Sequence, residues 1–230
     1  MLSFWQRHVA HKARILFLGA LCAGFSSCAR TNRDAIGSER ARSQKMPAVF
    51  IDAGHGGHDP GAQVAQVKEK DLALACALRI ATVLRARGYR VQMSRSSDQF
   101  IPLTGRVQMA ERAGSALFVS IHFNSAPNVR AHGVELFYYQ DAKRPRRLGA
   151  SEQLGSCILN SVASAGIQTR GVHAGNFCVI RETSMPAVLV EGGFLTNRQE
   201  RRLLTDMRYL QRLADAVAQG IDAYVRQGRD

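Results

Sequence analysis

The chain is organised around the stretch Val49-Phe-Ile-Asp-Ala-Gly-His-Gly-Gly-His-Asp-Pro-Gly61. Its apolar start predicts a buried strand, and the glycines that follow predict a tight loop. Ligands of open α/β sheets lie at the carboxyl ends of strands, and glycine lets the backbone come close to them. We therefore expect His55 to face a metal or a substrate. A glycine-rich connection whose histidines form only local hydrogen bonds is the alternative, and this stretch alone does not decide between the two.

The chain of 230 residues is 46% apolar and 21% charged, which is typical of a globular protein. Its length fits one domain with an N-terminal tail. The tail begins with a basic segment, which precedes an apolar run from Ile15 to Phe25 and a cluster of small residues. This order is typical of a secretory signal, and the run is shorter than the about 20 residues that span a bilayer.

We therefore predict a signal peptide over residues 1–29. The segment Phe25-Ser-Ser-Cys28 resembles a bacterial lipobox, which would make a lipidated Cys28 the mature N-terminus and attach the protein to the membrane. Cleavage after Ala29 is the alternative, and an uncleaved N-terminal anchor is a further option. We expect an exported protein of the periplasm or cell envelope.

Residues 30–46 are rich in arginine and poor in large apolar side chains, which predicts a flexible basic linker. The net charge is +13 overall, and the part after residue 46 remains moderately basic. This charge suits an anionic polymer or a membrane surface. We expect no nucleic acid partner, because the chain has no nucleic-acid-binding motif and its densest basic run, residues 143–147, is typical of a solvated surface loop. Three cysteines after the signal, in apolar surroundings, predict three buried thiols rather than a disulfide scaffold: Cys76, Cys157 and Cys178.

Residues 47–230 alternate between strand and helix patterns. Strands are predicted over residues 49–51, 89–94, 116–121, 133–139, 176–180 and 187–190. Helices are predicted over residues 69–87, 103–113 and 148–165, with a closing pair within 198–227. This order predicts a single α/β domain with a twisted, mixed sheet of about six strands flanked by helices. The sheet is expected to be mixed because the fourth strand follows the third through a short connection.

Two further strands carry a polar side chain out of an apolar run: His122 follows residues 116–121, and Glu191 follows residues 187–190. Together with His55 and one of Glu69 or Asp71, they give two histidines and two carboxylates. Two histidines and one carboxylate form a catalytic zinc site that keeps its fourth position for water. A separate carboxylate must then move the proton of that water, and Glu191 suits this role because the glycines after it leave room for a substrate.

Several combined motifs then point to one family: Ile51-Asp-Ala-Gly-His-Gly-Gly-His-Asp-Pro-Gly-Ala62, Glu69-Lys-Asp71, Ser94-Arg95 with Asp98, Ser120-Ile-His-Phe-Asn124, Gly133-Val-Glu135 and Met185-Pro-Ala-Val-Leu-Val-Glu-Gly-Gly-Phe194. They resemble the zinc-dependent N-acetylmuramoyl-L-alanine amidases, the cell-wall amidase family often called amidase type 3. The resemblance covers nearly all of residues 47–215. It implies one Zn²⁺ per chain, bound by His55, Glu69 and His122, with Glu191 as the catalytic base. The implied reaction is hydrolysis of the amide between N-acetylmuramic acid and L-alanine of the stem peptide in peptidoglycan.

The chain departs from this family at two places. His58 stands where the family commonly has lysine, and we expect it to be a rim residue rather than a ligand. The connection between Tyr139 and Leu148 is short, whereas division-associated members carry a long inserted helix that occludes the site until an activator binds. We therefore expect a site that is open without an activator. Three residues are candidate substrate-binding residues: Asn124, His132 and Arg181.

Two alternative functions remain open. One is a zinc carboxypeptidase or endopeptidase that acts on the stem peptide with the same ligands. The other is a non-catalytic peptidoglycan-binding module with the same fold, although the presence of all four site residues argues against it. Asp52 is expected to brace the loop after the first strand rather than to take part in the chemistry.

Overall fold

A computed structural model describes residues 46–228 of the chain. The predicted signal peptide lies outside these residues, and so does the predicted linker apart from Met46. Among the helices of the described part, none has the length and apolar character needed to cross a membrane.

Strands and helices alternate along residues 46–228, as the sequence predicts. The strands are β1 (Ala48–Ala53), β2 (Gln63–Val64), β3 (Val67–Lys68), β4 (Arg90–Met93), β5 (Leu117–Asn124), β6 (Val134–Tyr138), β7 (Thr169–Ala174) and β8 (Ala187–Phe194). The helices are α1 (Glu69–Ala86), α2 (Leu103–Arg112), α3 (Pro145–Ser164), α4 (Cys178–Glu182), α5 (Arg198–Leu204) and α6 (Met207–Gln227).

Six of these strands form one sheet in the order β4-β1-β5-β8-β6-β7. Strands β4, β1, β5 and β8 are parallel, whereas β6 pairs antiparallel with β8 and parallel with β7. The predicted single α/β domain with a mixed sheet of about six strands is therefore confirmed. Strands β2 and β3 form a separate hairpin that the sequence does not predict.

The direction of β6 is reversed relative to β5, as the short connection predicts, but β8 lies between the two strands. The antiparallel pairing places Glu135 near the start of β6 opposite Glu191 near the end of β8. The end of β8 also lies beside the end of β5, where His122 pairs with Glu191. The polar side chains of His122, Glu191 and Glu135, from three separate strands, therefore lie close together near the carboxyl ends of β5 and β8.

Helices pack on both faces of the sheet, because its central strands are apolar on both faces. Helices α1, α3 and α6 form the larger core with strand residues such as Ile51 and Val119. Helix α2 and α4 form a smaller core on Phe50, Phe118 and Leu189. Since side chains alternate along a strand, His122 and Glu191 lie on the face of the smaller core, toward the carboxyl ends of β5 and β8.

Helices α3 and α6 approach each other closely at a glycine. A Cβ atom on Gly220 would lie 2.3 Å from the Cα atom of Ile158 and 2.8 Å from the carbonyl oxygen of Cys157. Gly149, at the start of α3, differs, because a Cβ atom there would meet nothing within 4 Å. Only the first of these two glycines is required by the packing.

The prediction of a strand over residues 176–180 is wrong. This segment contains the start of α4, and its apolar side chains Val179 and Ile180 are buried in the smaller core rather than in the sheet. The sixth strand is instead β7, which the sequence does not reveal. It lies at the edge of the sheet, is largely exposed, and contains Gly171, so no apolar alternation marks it.

The prediction that residues 143–147 form a solvated loop is also wrong in part. Pro145 begins α3, and Arg147 is only 7% exposed. The Arg147 guanidinium donates to Asp141 Oδ2 at 3.1 Å and to the carbonyl oxygen of Met185 at 3.1 Å. This side chain therefore joins the start of α3 to the segment before β8. The three cysteines of the described part are free thiols, as predicted, but only Cys76 is buried, whereas Cys157 and Cys178 are half-buried.

Candidate active site

His55 lies in the loop that follows β1. Its φ angle is 58°, in the left-handed region, and Gly56 and Gly57 also have positive φ angles. Backbone hydrogen bonds of 2.9 and 3.1 Å between Gly56 and Asp59 close the loop. A Cβ atom on Gly56 would lie 2.1 Å from the carbonyl oxygen of Gln99, so the tight fold of this loop requires glycine.

Two buried arginines hold the loop in place. Arg95 and Arg106 are 3% and 2% exposed, and both donate to backbone carbonyl oxygens of residues 53–55 at 2.5–3.0 Å. Arg106 also donates to Asp52 Oδ1 at 2.8 Å, and Asp52 accepts a second bond from the Ser120 hydroxyl at 2.7 Å. Asp52 is completely buried, and its bond to Arg106, which holds the loop, is consistent with the predicted bracing role. The sequence does not predict this contact of Arg106, because Arg106 and Asp52 are 54 residues apart along the chain.

A lysine ties the far side of the loop to α1. Lys70 Nζ donates to the carbonyl oxygen of Gly57 at 2.8 Å and to Asp98 Oδ2 at 2.6 Å. The backbone N–H of Gly57 donates to Asp98 Oδ1 at 2.7 Å. Contacts with Arg95, Arg106 and the pair of Lys70 and Asp98 thus fix the loop without a bound ligand.

Three side chains meet where this loop, α1 and β5 come together. Glu69 Oε1 lies 3.0 Å from His55 Nε2 and 2.8 Å from His122 Nδ1. One ligand atom from each of the three residues lies within 4.8 Å of the others, so this group could hold a metal ion. Asp71, the alternative to Glu69, is exposed on α1 and is not part of the group. The three predicted metal ligands are thus brought together.

Neighbouring atoms orient these ligands. Asp59 Oδ2 lies 2.8 Å from His55 Nδ1, so Nδ1 is the donor and Nε2 is left to face Glu69. Glu69 Oε2 accepts from the backbone N–H of Ala62 at 2.9 Å. A Cβ atom on Gly61 would lie 2.6 Å from both Glu69 Oε2 and His55 Cδ2, so this glycine leaves the space that the ligands need.

The charges of the group favour a cation. Burial disfavours the charged form of Glu69, but hydrogen bonds and charge from His122 and His55 outweigh it and hold the pKa of Glu69 well below its usual range. Burial also lowers the pKa of His55, but the carboxylates of Glu69 and Asp59 outweigh it, and the net direction is upward. An ionised carboxylate between two imidazoles matches the donor set of a zinc site that keeps one position open. The residues therefore fit a metal ion.

Glu191 lies beside this group, opposite His122 in the pairing of β5 with β8. Its Oε2 atom is buried and has no hydrogen-bond partner among the described residues. Burial, followed by the negative charges of Glu69 and Glu135, raises the pKa of Glu191 to about 7, although the two histidines act against this. A carboxylate with this pKa can exchange a proton near neutral pH.

Glu135 is a second buried carboxylate, which the sequence shows only as part of a motif. It is 8% exposed and accepts hydrogen bonds from Asn124 Nδ2 at 2.7 Å and Arg170 Nε at 2.8 Å. Asn124, a predicted substrate-binding residue, therefore lies next to the pair of Glu135 and Glu191. Arg170 is missed by the sequence because it lies on the unrecognised strand β7.

The other predicted site residues are not joined to the metal-ligand group by any contact. His132 is exposed, and its Nδ1 lies 2.8 Å from the carbonyl oxygen of Arg130. Arg181 lies on α4, before the start of β8, and pairs with Glu182 at 2.6 Å. His58 is exposed with its ring centroid 4.1 Å from that of Phe100, and it is not in the metal-ligand group.

An α/β domain with a His-Glu-His group beside a glutamate that has a buried, unpaired oxygen atom, at the carboxyl ends of its central strands, has the composition of a metal-dependent hydrolase. Comparison with known families is more specific. The Amidase_3 family, described as N-acetylmuramoyl-L-alanine amidase, matches residues 49–223. The chain belongs to this family, which confirms the resemblance and the predicted class of enzyme.

Individual relatives agree with this assignment. The uncharacterized protein YqiI of Bacillus subtilis is 39% identical over 78% of this chain and 85% of that protein. The sporulation-specific N-acetylmuramoyl-L-alanine amidase of the same organism is 36% identical over 77% of this chain and 68% of that protein. The solved catalytic domain of CwlV, an N-acetylmuramoyl-L-alanine amidase from Bacillus (Paenibacillus) polymyxa var. colistinus, is 38% identical with a TM-score of 0.72, over 79% of this chain and 99% of that domain.

Proposed function

We propose that this protein is a zinc-dependent amidase that hydrolyses the bond between N-acetylmuramic acid and L-alanine of the stem peptide in peptidoglycan. The observation that carries the proposal is the meeting of His55, Glu69 and His122 beside the unpaired Oε2 atom of Glu191. The three ligand residues would hold one Zn²⁺ ion. Zinc in such a site polarises a carbonyl group and acidifies water.

Other side chains transfer the proton, orient a ligand and contact the substrate. Glu191 takes the proton of the attacking water at its unpaired Oε2 atom and returns it to the leaving amine of L-alanine. Asp59 keeps His55 in the tautomer that has Nε2 free. Asn124 is proposed to contact the substrate, because its amide lies next to the two glutamates. His132 and Arg181 stay candidate substrate contacts. The carbonyl oxygen of His132 accepts from Arg170, the partner of Glu135, at 3.5 Å, whereas Arg181 contacts none of the proposed ligands or Glu191.

Product analysis tests the reaction. A digest of purified peptidoglycan by the protein should release free stem peptides that begin with L-alanine, and a chelator should stop their release. Glu191→Gln should lower the rate by about 10²–10⁴-fold, because general-base catalysis contributes this much. The same variant should keep its zinc, whereas His55→Ala and His122→Ala should lose it.

Other results would support the alternative functions. Shortened stem peptides that remain attached to the glycan would indicate a carboxypeptidase or endopeptidase. Zinc occupancy without any hydrolysis by the wild type would indicate a binding module. Normal zinc content in both histidine variants would refute the ligand assignment.

We also propose that the site is open without an activator. Only six residues, 139–144, connect β6 to α3, and no helix lies between them. Purified protein should therefore cleave peptidoglycan at its full rate alone. Strong stimulation by a partner protein would contradict this proposal.

The proposal of export rests on the sequence of residues 1–29 and on membership of a cell-wall amidase family. A lipid on Cys28 is the proposed means of membrane attachment. Mass spectrometry of the mature N-terminus distinguishes the two cleavage sites. A diacylglyceryl mass on Cys28 supports the lipoprotein, and an unmodified chain that starts at Arg30 refutes it.

A further inference from the structure

The sheet face that carries Glu191 continues across β6 and β7 as a patch of aromatic rings. Phe137 on β6 and His173 on β7 are paired residues whose ring centroids lie 5.8 Å apart. The ring of Phe177, which follows β7, lies 5.1 Å from that of Phe137 at an angle of 62°. Phe177 is 37% exposed, and His173 is also exposed. Phe137, His173 and Phe177 are called the aromatic platform below.

The aromatic platform lies on the same face as the catalytic carboxylate. Glu135 pairs with Glu191, and Phe137 follows Glu135 by two positions, so their side chains point the same way. The His173 ring folds back over Gly171, the partner of Glu135, since a Cβ atom on Gly171 would lie 3.0 Å from His173 Cε1. Because neighbouring strands lie about 4.8 Å apart, the His173 ring is roughly 10 Å across the sheet from Glu191.

A glycine allows the rings to come together. A Cβ atom on Gly175 would lie 2.6 Å from Phe177 Cε2 and 2.9 Å from Phe137 Cδ1. The two phenylalanine rings thus close over a position without a side chain; Phe137 is half-buried against the smaller core, and Phe177 stays exposed beside it. Exposed apolar surface on the face that carries an active site can mark a binding surface.

We propose that the aromatic platform binds the glycan strand of peptidoglycan when the reacting amide lies at Glu191. This inference rests on the proposed function, since each amide that the enzyme would cleave is attached to a sugar of a polymer. The C–H groups on the faces of pyranose rings carry a small positive charge, which suits the negative face of an aromatic ring. The His173 ring, about two strand spacings from Glu191, is the part of the platform nearest the level of the reacting amide. Phe137 lies two positions further along β6, level with Leu189, so a polymer that reaches Phe137 and Phe177 must extend beyond the sugar that carries the amide.

The stem peptide is the less suitable occupant of the platform. It carries free carboxylates, and these are matched better by cations than by aromatic rings. Arg181, which donates to Asn176 Oδ1 beside Phe177 at 2.6 Å, is already paired with Glu182 at 2.6 Å. A separate cavity of about 680 Å³ carries three arginines, Arg130, Arg198 and Arg212. The neutral glycan therefore suits the platform, and binding of the peptide there becomes an outcome that the test must distinguish.

Binding without turnover gives the first test. The full chain with Glu191→Gln is titrated separately with peptide-free glycan strands and with isolated stem peptide. In this Glu191→Gln protein, the second substitution Phe177→Ala should weaken the binding of glycan strands about tenfold, which is the effect of losing one ring contact. The binding of the stem peptide should stay unchanged. Phe177→Trp should restore glycan binding. Met207→Ala, which removes an apolar side chain that is 62% exposed on α6, is the matched control and should have no effect.

Three results would overturn the inference: no glycan binding by the parent, unchanged glycan binding after Phe177→Ala, or a loss of peptide binding instead. Hydrolysis by the wild type is measured separately. Glycan binding that depends on Phe177 in a protein that does not hydrolyse peptidoglycan would refute the proposed function and support the platform. Hydrolysis of peptidoglycan together with glycan binding that does not depend on Phe177 would support the proposed function and refute the platform.

Kinetics give a second test that a merely structural role would not pass. Phe177→Ala should raise KM for polymeric peptidoglycan several-fold with kcat unchanged. A minimal substrate with a single N-acetylmuramic acid has no neighbouring sugar that could contact the aromatic platform, so the KM for this substrate should not change. An equal loss of kcat on both substrates would contradict the platform, because it would indicate damage to the active site.

Discussion

Glu69 is the residue on which the metal-ligand group depends, because its Oε1 atom contacts both histidines. Residue spacing alone cannot choose between Glu69 and Asp71. The structure shows the physical reason for the choice, since residues two positions apart on a helix do not share a face. Glu69 is the first residue of α1 and is buried toward the loop after β1, whereas Asp71 points to solvent.

The pKa of Glu191 predicts the acid limb of the pH–rate profile. A general base works only when deprotonated, and burial raises the pKa of this carboxyl group from 4.5 to about 7. The value of kcat/KM should therefore fall as the pH falls, with a midpoint above 4.5. A bound cation favours the carboxylate and moves the midpoint below about 7.

The measurement is kcat/KM against pH at constant free zinc. Glu135→Gln removes one of the negative charges that raise the pKa of Glu191, so its acid limb should move to lower pH. A wild-type profile that stays flat down to pH 4.5 would be incompatible with the buried base.

Asp59 is expected to matter for metal affinity without being a ligand. Its carboxylate fixes the tautomer and the ring orientation of His55. Asp59→Asn should weaken zinc binding about 10–100-fold, as is usual when the partner of a ligating histidine is changed. Competition with a chromogenic chelator measures this affinity. Asp71→Asn is the control, and equal zinc affinity in both variants would exclude the orienting role.

At the scale of elements, the sequence predicts the central strands that carry the site, but it does not predict the outermost strand, β7. Strands β1, β5 and β8 are buried on both faces, so their continuous apolar runs mark them. They also run further than predicted, so that His122 and Glu191 lie within β5 and β8 rather than after them. Strand β7 has water on much of its surface and therefore lacks the pattern, while the apolar residues of α4 imitate a strand.

The contacts that no periodic pattern predicts are those of buried arginines. Their partners are backbone carbonyl groups, which have no signature in the sequence. Arg106 on α2 reaches the loop after β1 and also pairs with Asp52, and the side chains are 3% and 0% exposed. Such a pair is part of the support for His55 even though neither residue belongs to the group of His55, Glu69 and His122.

Arg106→Ala should therefore destabilise the fold strongly. It leaves the Asp52 carboxylate buried without its cation, which costs about 3–5 kcal/mol. Chemical denaturation followed by circular dichroism measures the free energy of unfolding. Arg112→Ala removes an exposed arginine from the same helix and should change the stability by no more than about 0.5 kcal/mol. Similar losses in the two variants would contradict the bracing role of Arg106.

At the scale of the whole molecule, the close contact of α3 and α6 makes a prediction about two glycines. Gly220→Ala should destabilise the domain by about 1–3 kcal/mol or more, because its methyl group would overlap the backbone of α3. Gly149→Ala should instead stabilise it by about 0.5–1 kcal/mol, since alanine favours a helix and the space is open. Thermal unfolding of both variants measures the difference, and a shift of the same sign in both would show that the helix contact is not tight.

The three predicted metal ligands do not come from one stretch of the chain. His55 and Glu69 are close in sequence, but His122 reaches them only once β1 has paired with β5 across a separation of 68 residues, as in the pair of Asp52 with Ser120. Non-local pairing of this kind is slow compared with helix formation. A chain in which β1 and β5 have not yet paired would therefore lack the complete set of predicted ligands, and tight zinc binding would report that the central strands are assembled.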